Sequence, residues 1–381
     1  MAEPATAPLW DRFAHWPRLP ARVLLALALV MIVLSALAPI RDGDGDHKPP
    51  PIAGKPVTEA EARKRDDDLA LYDAVTARLA KGENYYVVAT EEHRARHFPL
   101  RPGAAVRLPT LAFIEAHVGL PGQIAASMLL LLAVCAAWWR RLGEEPGGEK
   151  LRLIAMSALF VGASIGTIRY FFVLHELWAG SLLALAFGLH RPDKDKWLGA
   201  WLAAAAALAI REHALPFVLL MAAFALWQRR WREGAAWCLL VLAFAAGLAL
   251  HFHLLSQHLR PDDPAGHSWL TFRGLGGWLS MVVLSSNLRW LPHFIAGPLM
   301  MLMVLGWAGW RSSAGAFATL LFLGYGLAFM IAGRVDNWYW GMTIAPTMFV
   351  GLAFAPMALA GLWRSALAQP AIAPGARLGQ E

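Results

Sequence analysis

Three short stretches set acids and bases among aromatic residues: RYFFVLHELW with Arg169, His175 and Glu176, REHALPF with Arg211, Glu212 and His213, and RVDNWYW with Arg334, Asp336 and Trp338. A fourth, RKRDDDLALYDAV, places Asp66, Asp67 and Asp68 behind Arg63, Lys64 and Arg65. A carboxylate can take the proton of an attacking hydroxyl, and guanidinium groups can stabilise charge that develops on a phosphate. Taken singly, such residues at the end of an apolar helix also snorkel to a membrane interface with no chemistry attached. Several mixed-charge stretches on one face favour a shared polar site.

The aspartate run resolves on a helix at about 100° per residue. Tyr72, Val75 and Leu79 form one apolar stripe, and Asp68 points along it, while Asp66, Asp67, Asp73 and Lys81 point to the polar side. A carboxylate on a buried face loses hydration and becomes a stronger base. The plainer reading makes Asp68 a helix-start acid paired with a nearby arginine, and Asp66 or Asp67 an N-cap.

The elements that must hold these groups are membrane spans. Of the 381 residues 57% are hydrophobic and 16% charged, against roughly 25% charged in soluble domains. Ten apolar runs stand out: Arg22–Ile40, Gln123–Trp139, Leu151–Ile168, Leu177–Leu189, Trp197–Ile210, Ala214–Trp227, Ala235–Leu255, Trp290–Trp310, Ala314–Gly333 and Trp340–Trp363. The fold class is therefore an all-α polytopic membrane protein of about 10 transmembrane helices. The net charge of +7 comes from short basic clusters between spans and from no nucleic-acid motif, so no nucleic-acid partner is expected. Arg140, Arg141, Lys150 and Arg152, then Arg191, Lys194 and Lys196, then Arg229, Arg230 and Arg232 fall on one side together with Arg12, Arg18, Arg22, Arg311, Arg364 and Arg377. The positive-inside rule puts that side, and both termini, in the cytoplasm. The expected organisation is a cytoplasmic segment (1–21), a membrane domain (22–363) with a large extracytoplasmic first loop (41–122), and a disordered cytoplasmic tail (364–381). SALAPI at the end of the first span resembles a signal-peptidase site, although the run before it is long enough to remain as an anchor.

The first loop begins with Gly- and Pro-rich chain, in which Asp42, Asp44 and Asp46 alternate with glycine. These offer oxygen ligands to a divalent cation, but the run lacks the later glycine and glutamate of a calcium loop; no cofactor is expected, with this set as the alternative. Thr58 and Glu61 then form a capping box for a helix ending near Gly82, and RLPTLAFIEAHVGLPG reads as a second helix at the membrane surface. Cys135 and Cys238 both lie inside apolar runs, so no disulfide is expected.

DLALYDAVTARLAKGENYY followed by RLPTLAF resembles the first extracytoplasmic loop of GT-C superfamily glycosyltransferases, in particular bacterial relatives of protein O-mannosyltransferases and aminoarabinose transferases. The shared features are an acid (Asp68), an aromatic four residues on (Tyr72), a G-x-x-Y-Y element (Gly82 to Tyr86) and an R-x-P element (Arg107 to Pro109); HELWAG and REHALP also resemble that group. The resemblance implies a bacterial inner-membrane enzyme that moves a sugar from a polyprenyl-phosphate donor to a hydroxyl on a lipid, glycan or protein acceptor, with inversion. It implies Asp68 as the base and Arg107, Arg169, Arg211 and Arg334 around the donor phosphate. Tyr72, Tyr85, Tyr86, Glu176, Glu212, Asp336 and Trp338 would line the sugar and acceptor pocket. Two departures from the pattern are the Pro-rich insert before Asp68 and the extra acids Asp42, Asp44 and Asp46. The main rival is a transporter or flippase of lipid-linked sugars, which would place its polar residues at the bilayer midplane in matched halves. A non-catalytic assembly subunit, or an acyltransferase using His175 or His213, are further alternatives.

Overall fold

A computed structural model describes residues 8–40, 67–191 and 195–368, leaving out the Asp67 side chain. The capping box at Thr58 and Glu61, the acids Asp42, Asp44, Asp46 and Asp66, and the tail from 369 lie outside the described residues. Among the described residues there is no strand, only isolated bridges between single residue pairs. The helices are α1 Arg18–Leu37, α2 Asp67–Leu79, α3 Tyr85–Ala95, α4 Thr110–Glu144, α5 Gly148–Ala163, α6 His175–Leu189, α7 Leu198–Ile210, α8 Leu215–Trp227, α9 Trp231–Ser256, α10 Gly274–Leu284, α11 His293–Gly309, α12 Ser313–Ile331, α13 Ala345–Met348 and α14 Gly351–Leu367. A 3-10 segment, Val335–Thr343, links α12 to α13.

Five stretches have the length and apolarity to cross a membrane: Arg18–Leu37, Gly103–Glu144, Gly148–Thr167, Trp231–Ser256 and Ser313–Ile331. Their outer faces are apolar and open, as at Leu27, Leu29 and Val33 on α1, Leu129 and Leu132 on α4, and Leu239, Leu242 and Leu250 on α9. Exposed apolar area on that scale fits contact with lipid. The other apolar runs form shorter helices. Two elements depart from the sequence expectation. The run from Trp340 to Trp363 is not one helix, because the 3-10 segment occupies its start and α13 and α14 follow as separate pieces. The buried apolar helix α10 and the Asn84-capped helix α3 were not foreseen.

The helix ends sort into two layers. On one side Arg191 pairs with Glu144, His190 with Glu233, Arg364 with Asp11, and the Trp310 indole donates to the Pro146 carbonyl. This is the side carrying the basic clusters. On the other side α2 and α3 form a cap over the start of α4, held by Leu71, Val75, Leu79, Tyr85 and Val88. The cap is tied to the chain after α9 by Arg94 to Asp263 at 2.6 Å.

Three glycines set the geometry that matters. Gly82, at φ +85°, turns the chain after α2. Gly119, at φ +61° and followed by Pro121, kinks α4 into a short piece under the cap and a long apolar piece. Gly180 on α6 packs directly on the 3-10 segment, so that any Cβ there would collide with the Met342 carbonyl oxygen. Behind α6 lies α7, whose LGAWLAAAAALAI sequence combines high helix propensity with side chains small enough for close approach.

Candidate active site

Asp68 sits in the first described turn of α2, half-buried, next to the fully buried Leu69. Its Oδ2 accepts a 2.7 Å hydrogen bond from the Tyr339 hydroxyl of the 3-10 segment. The carboxylate thus faces the protein, onto a partner the sequence reading did not select. The Arg107 guanidinium donates to the same Tyr339 oxygen at 3.3 Å and, through Nε, to the Tyr72 hydroxyl at 3.0 Å. Burial pushes the Tyr72 phenol up to about 12 against the pull of Arg107, and burial followed by the Asp68 charge pushes Tyr339 well up. Both hydroxyls stay protonated and keep a hydrogen to donate.

A second tier lies beneath, at the ends of α6 and α7. The Glu176 Oε1 lies 2.8 Å from Arg211 Nε, 3.9 Å from Arg107 Nη2 and 4.0 Å from His213 Nδ1. The 2.8 Å contact is close enough for an ion pair but is not aligned as a hydrogen bond. Glu176 and Arg211 are each only 1% exposed. Arg211 also pairs with Glu212, and the His213 ring packs edge-on against Trp340 at 4.5 Å. One buried carboxylate thus holds two arginines that come from distant loops. A buried ion pair is retained only where each charge has partners, and here both arginines do.

The remaining expected residues divide. Tyr85 is buried and donates a 2.6 Å bond to the Arg107 carbonyl, fixing the arginine's backbone, and its side chain also lines the small cavity beside Tyr72 and Arg107. Tyr86 turns to α9, where its hydroxyl meets His251 at 3.3 Å and its ring stacks on His258. Arg334 and Asp336 pair at 2.7 Å at the entrance to the 3-10 segment, both partly exposed. Trp338 is 3% exposed and packs on Phe171, with the Arg289 guanidinium over its ring at 5.4 Å. Arg169 is exposed and joins no ion pair of the cluster, and the cation at that aromatic patch is Arg289.

Comparison with protein-family models, with curated proteins and with solved structures gives no match.

Among the described residues no group of three or more histidines, cysteines, aspartates or glutamates is placed to hold a metal ion. A cavity of about 10 Å³, room for about one water, adjoins the cluster between Tyr72, Thr76, His93, Arg107, Glu115 and His175. The His175 ring is 3% exposed and stands edge-on to Tyr72 at 5.5 Å.

The residues that sequence reasoning missed are Tyr339 and Arg289. Tyr339 lies beside Trp338 in RVDNWYW, and nothing in the sequence marks the 3-10 geometry that buries it while Asp336 stays exposed.

Proposed function

We propose that the chain is an integral-membrane glycosyltransferase that uses a polyprenyl-phosphate sugar and works on the extracytoplasmic face of a bacterial inner membrane. The observation that carries this reading is the joining of Asp68, Tyr339, Arg107, Glu176 and Arg211, drawn from five separate stretches, into one acid–arginine cluster on the face opposite the basic clusters. The arrangement at helix ends, instead of at mid-helix, favours transfer over transport. The reading takes ten runs as crossing the membrane in a GT-C-like layout, with both termini on the cytoplasmic side.

The chemistry follows from the groups present. The acceptor O–H gives its proton to an Asp68 carboxylate oxygen, the acceptor oxygen bonds to the anomeric carbon from the face opposite the phosphate, and the carbon–phosphate-oxygen bond breaks. Polyprenyl phosphate leaves with the bonding electron pair, and Asp68 is left protonated. Tyr339 holds the carboxylate that receives the proton. Arg107 and Arg211 meet the charge that grows on the leaving phosphate, with Arg334 at the rim. Phosphate is a good leaving group, so one base suffices without a separate acid.

The test is transfer by purified protein in nanodiscs supplied with polyprenyl-phosphate sugars. Asp68→Asn should fold and elute as the parent does while losing about 100-fold or more of turnover. Full activity in that variant would remove Asp68 from the mechanism, and movement of donor across a bilayer without product would replace the transferase with a transporter.

A further inference from the structure

The segment Ser268–Arg273 leads from the cap side into α10. Its backbone runs antiparallel to the end of α12: Thr271 N–H donates to Ile331 O at 3.1 Å, Arg273 N–H to Met330 O at 2.8 Å, and Gly333 N–H to Trp269 O at 2.8 Å. In such extended chain successive side chains alternate between two faces. Trp269 and Arg273 are partly buried, and the Arg273 guanidinium donates to the Arg334 carbonyl at 2.9 Å. Leu270 and Phe272 take the other face and are 76% and 82% exposed.

We infer that this segment is a membrane-inserted brace, with Leu270 and Phe272 buried in the acyl-chain boundary of the leaflet on the Asp68 side. Three observations choose lipid over a protein partner. The paired stretch, Met330 to Gly333, is where the apolar helix α12 ends, which is the level of a bilayer interface. The outer face of α12 is itself open and apolar at Leu323, Leu327 and Ile331, so Leu270 and Phe272 extend a surface already facing acyl chains. An indole and a guanidinium, Trp269 and Arg273, flank the two apolar side chains, as residues at the headgroup level do. The segment is also bonded to Gly333 and Arg334, from which the chain runs on to Tyr339. The brace thereby fixes the height of the Tyr339 segment relative to the bilayer.

The test uses the full chain in nanodiscs, with Cys135→Ala and Cys238→Ala as background and single Leu270→Cys, Phe272→Cys or His267→Cys substitutions, each checked for parent-like elution. His267 is the exposed reference immediately before the segment. A membrane-impermeant maleimide should label positions 270 and 272 about tenfold slower than position 267, and an environment-sensitive fluorophore at 272 should be quenched by nitroxide lipids labelled near the headgroup. Labelling at both positions at the rate of 267, with no lipid quenching, overturns the inference. Slow labelling without lipid quenching also overturns it, because a protein surface would then cover the segment. None of these readouts depends on transferase activity.

Discussion

The Tyr339 hydroxyl reaches across 271 residues of sequence to donate a 2.7 Å hydrogen bond to Asp68. The same oxygen accepts from Arg107, so a single phenol connects the proposed base to the arginine tier. Removing it by Tyr339→Phe should leave the carboxylate in place without the hydrogen bond that ties it to Arg107. Turnover should fall about 10-fold to 100-fold with a smaller change in KM, because the phenol acts on the base and not on the donor. Steady-state kinetics in nanodiscs would read this; unchanged turnover would show that the phenol only supports the fold.

Glu176 is the shared counter-charge of Arg107 and Arg211. Glu176→Gln removes the charge the two arginines share, leaving Arg211 with Glu212 and Arg107 with the two phenols, and should cost at most about 3–5 kcal/mol, visible as a drop in melting temperature. Arg334→Ala breaks a rim pair that is partly exposed on both sides and should cost under about 1 kcal/mol. Equal losses in the two variants would mean that the inner tier is not load-sharing as described.

Gly180→Ala tests the packing that presents Tyr339. A methyl group there meets the Met342 carbonyl, so the 3-10 segment must move off α6. The expected cost is about 1–3 kcal/mol in stability, with a loss of turnover resembling that of Tyr339→Phe. Gly247→Ala, in the middle of α9 where nothing lies within reach of a Cβ, is the matched control and should keep turnover with stability equal or up to about 1 kcal/mol higher.

The cap should loosen in acid. His93 is buried, with Nδ1 on the Ala89 carbonyl at 2.6 Å, and burial lowers its pKa to about 4. An unfolded cap binds the proton near pH 6.5, whereas the folded cap does so only near pH 4. The stability is therefore fully present above pH 6.5 and drains as pH falls toward 4, by at most about 3 kcal/mol. Amide exchange of α2 and α3 at pH 7.5 and pH 5 should show the difference, and His93→Gln should flatten it.

The sequence was most legible where one period governs a whole element. Asp68 could be aimed because α2 is a regular helix with an apolar stripe of Tyr72, Val75 and Leu79, of which Val75 and Leu79 are buried and Tyr72 partly so. The positions of α1, α4 and α9 were readable because long apolar runs have few alternatives. Legibility failed where the period breaks. Val335–Thr343 is a 3-10 segment that runs from RVDNWYW into the start of the Trp340–Trp363 run, and its backbone brings Tyr339 to Asp68 while turning Trp338 to Phe171. Tyr85 and Tyr86 read as a pair, yet adjacent residues on a helix diverge by about 100°, sending one to Arg107 and the other to His251. Arg169 and Arg289 were both visible as cations at span ends; only tertiary packing decides which of them covers an aromatic ring.

The helices that carry the second tier are short. At 1.5 Å per residue, the 15 residues of α6 reach about 22 Å and the 13 residues of α7 and α8 about 20 Å, against a hydrocarbon core of about 30 Å. If these helices sit flush with one surface of the bilayer, they fall short of the other by about 8–10 Å. Glu176 and Arg211 lie at the Asp68-side ends of these helices, so the shortfall leaves their charges at the floor of a depression. On the proposed reading, lipid headgroups and water would be drawn inward there, and a phosphate resident in that leaflet would approach the arginines without leaving the membrane.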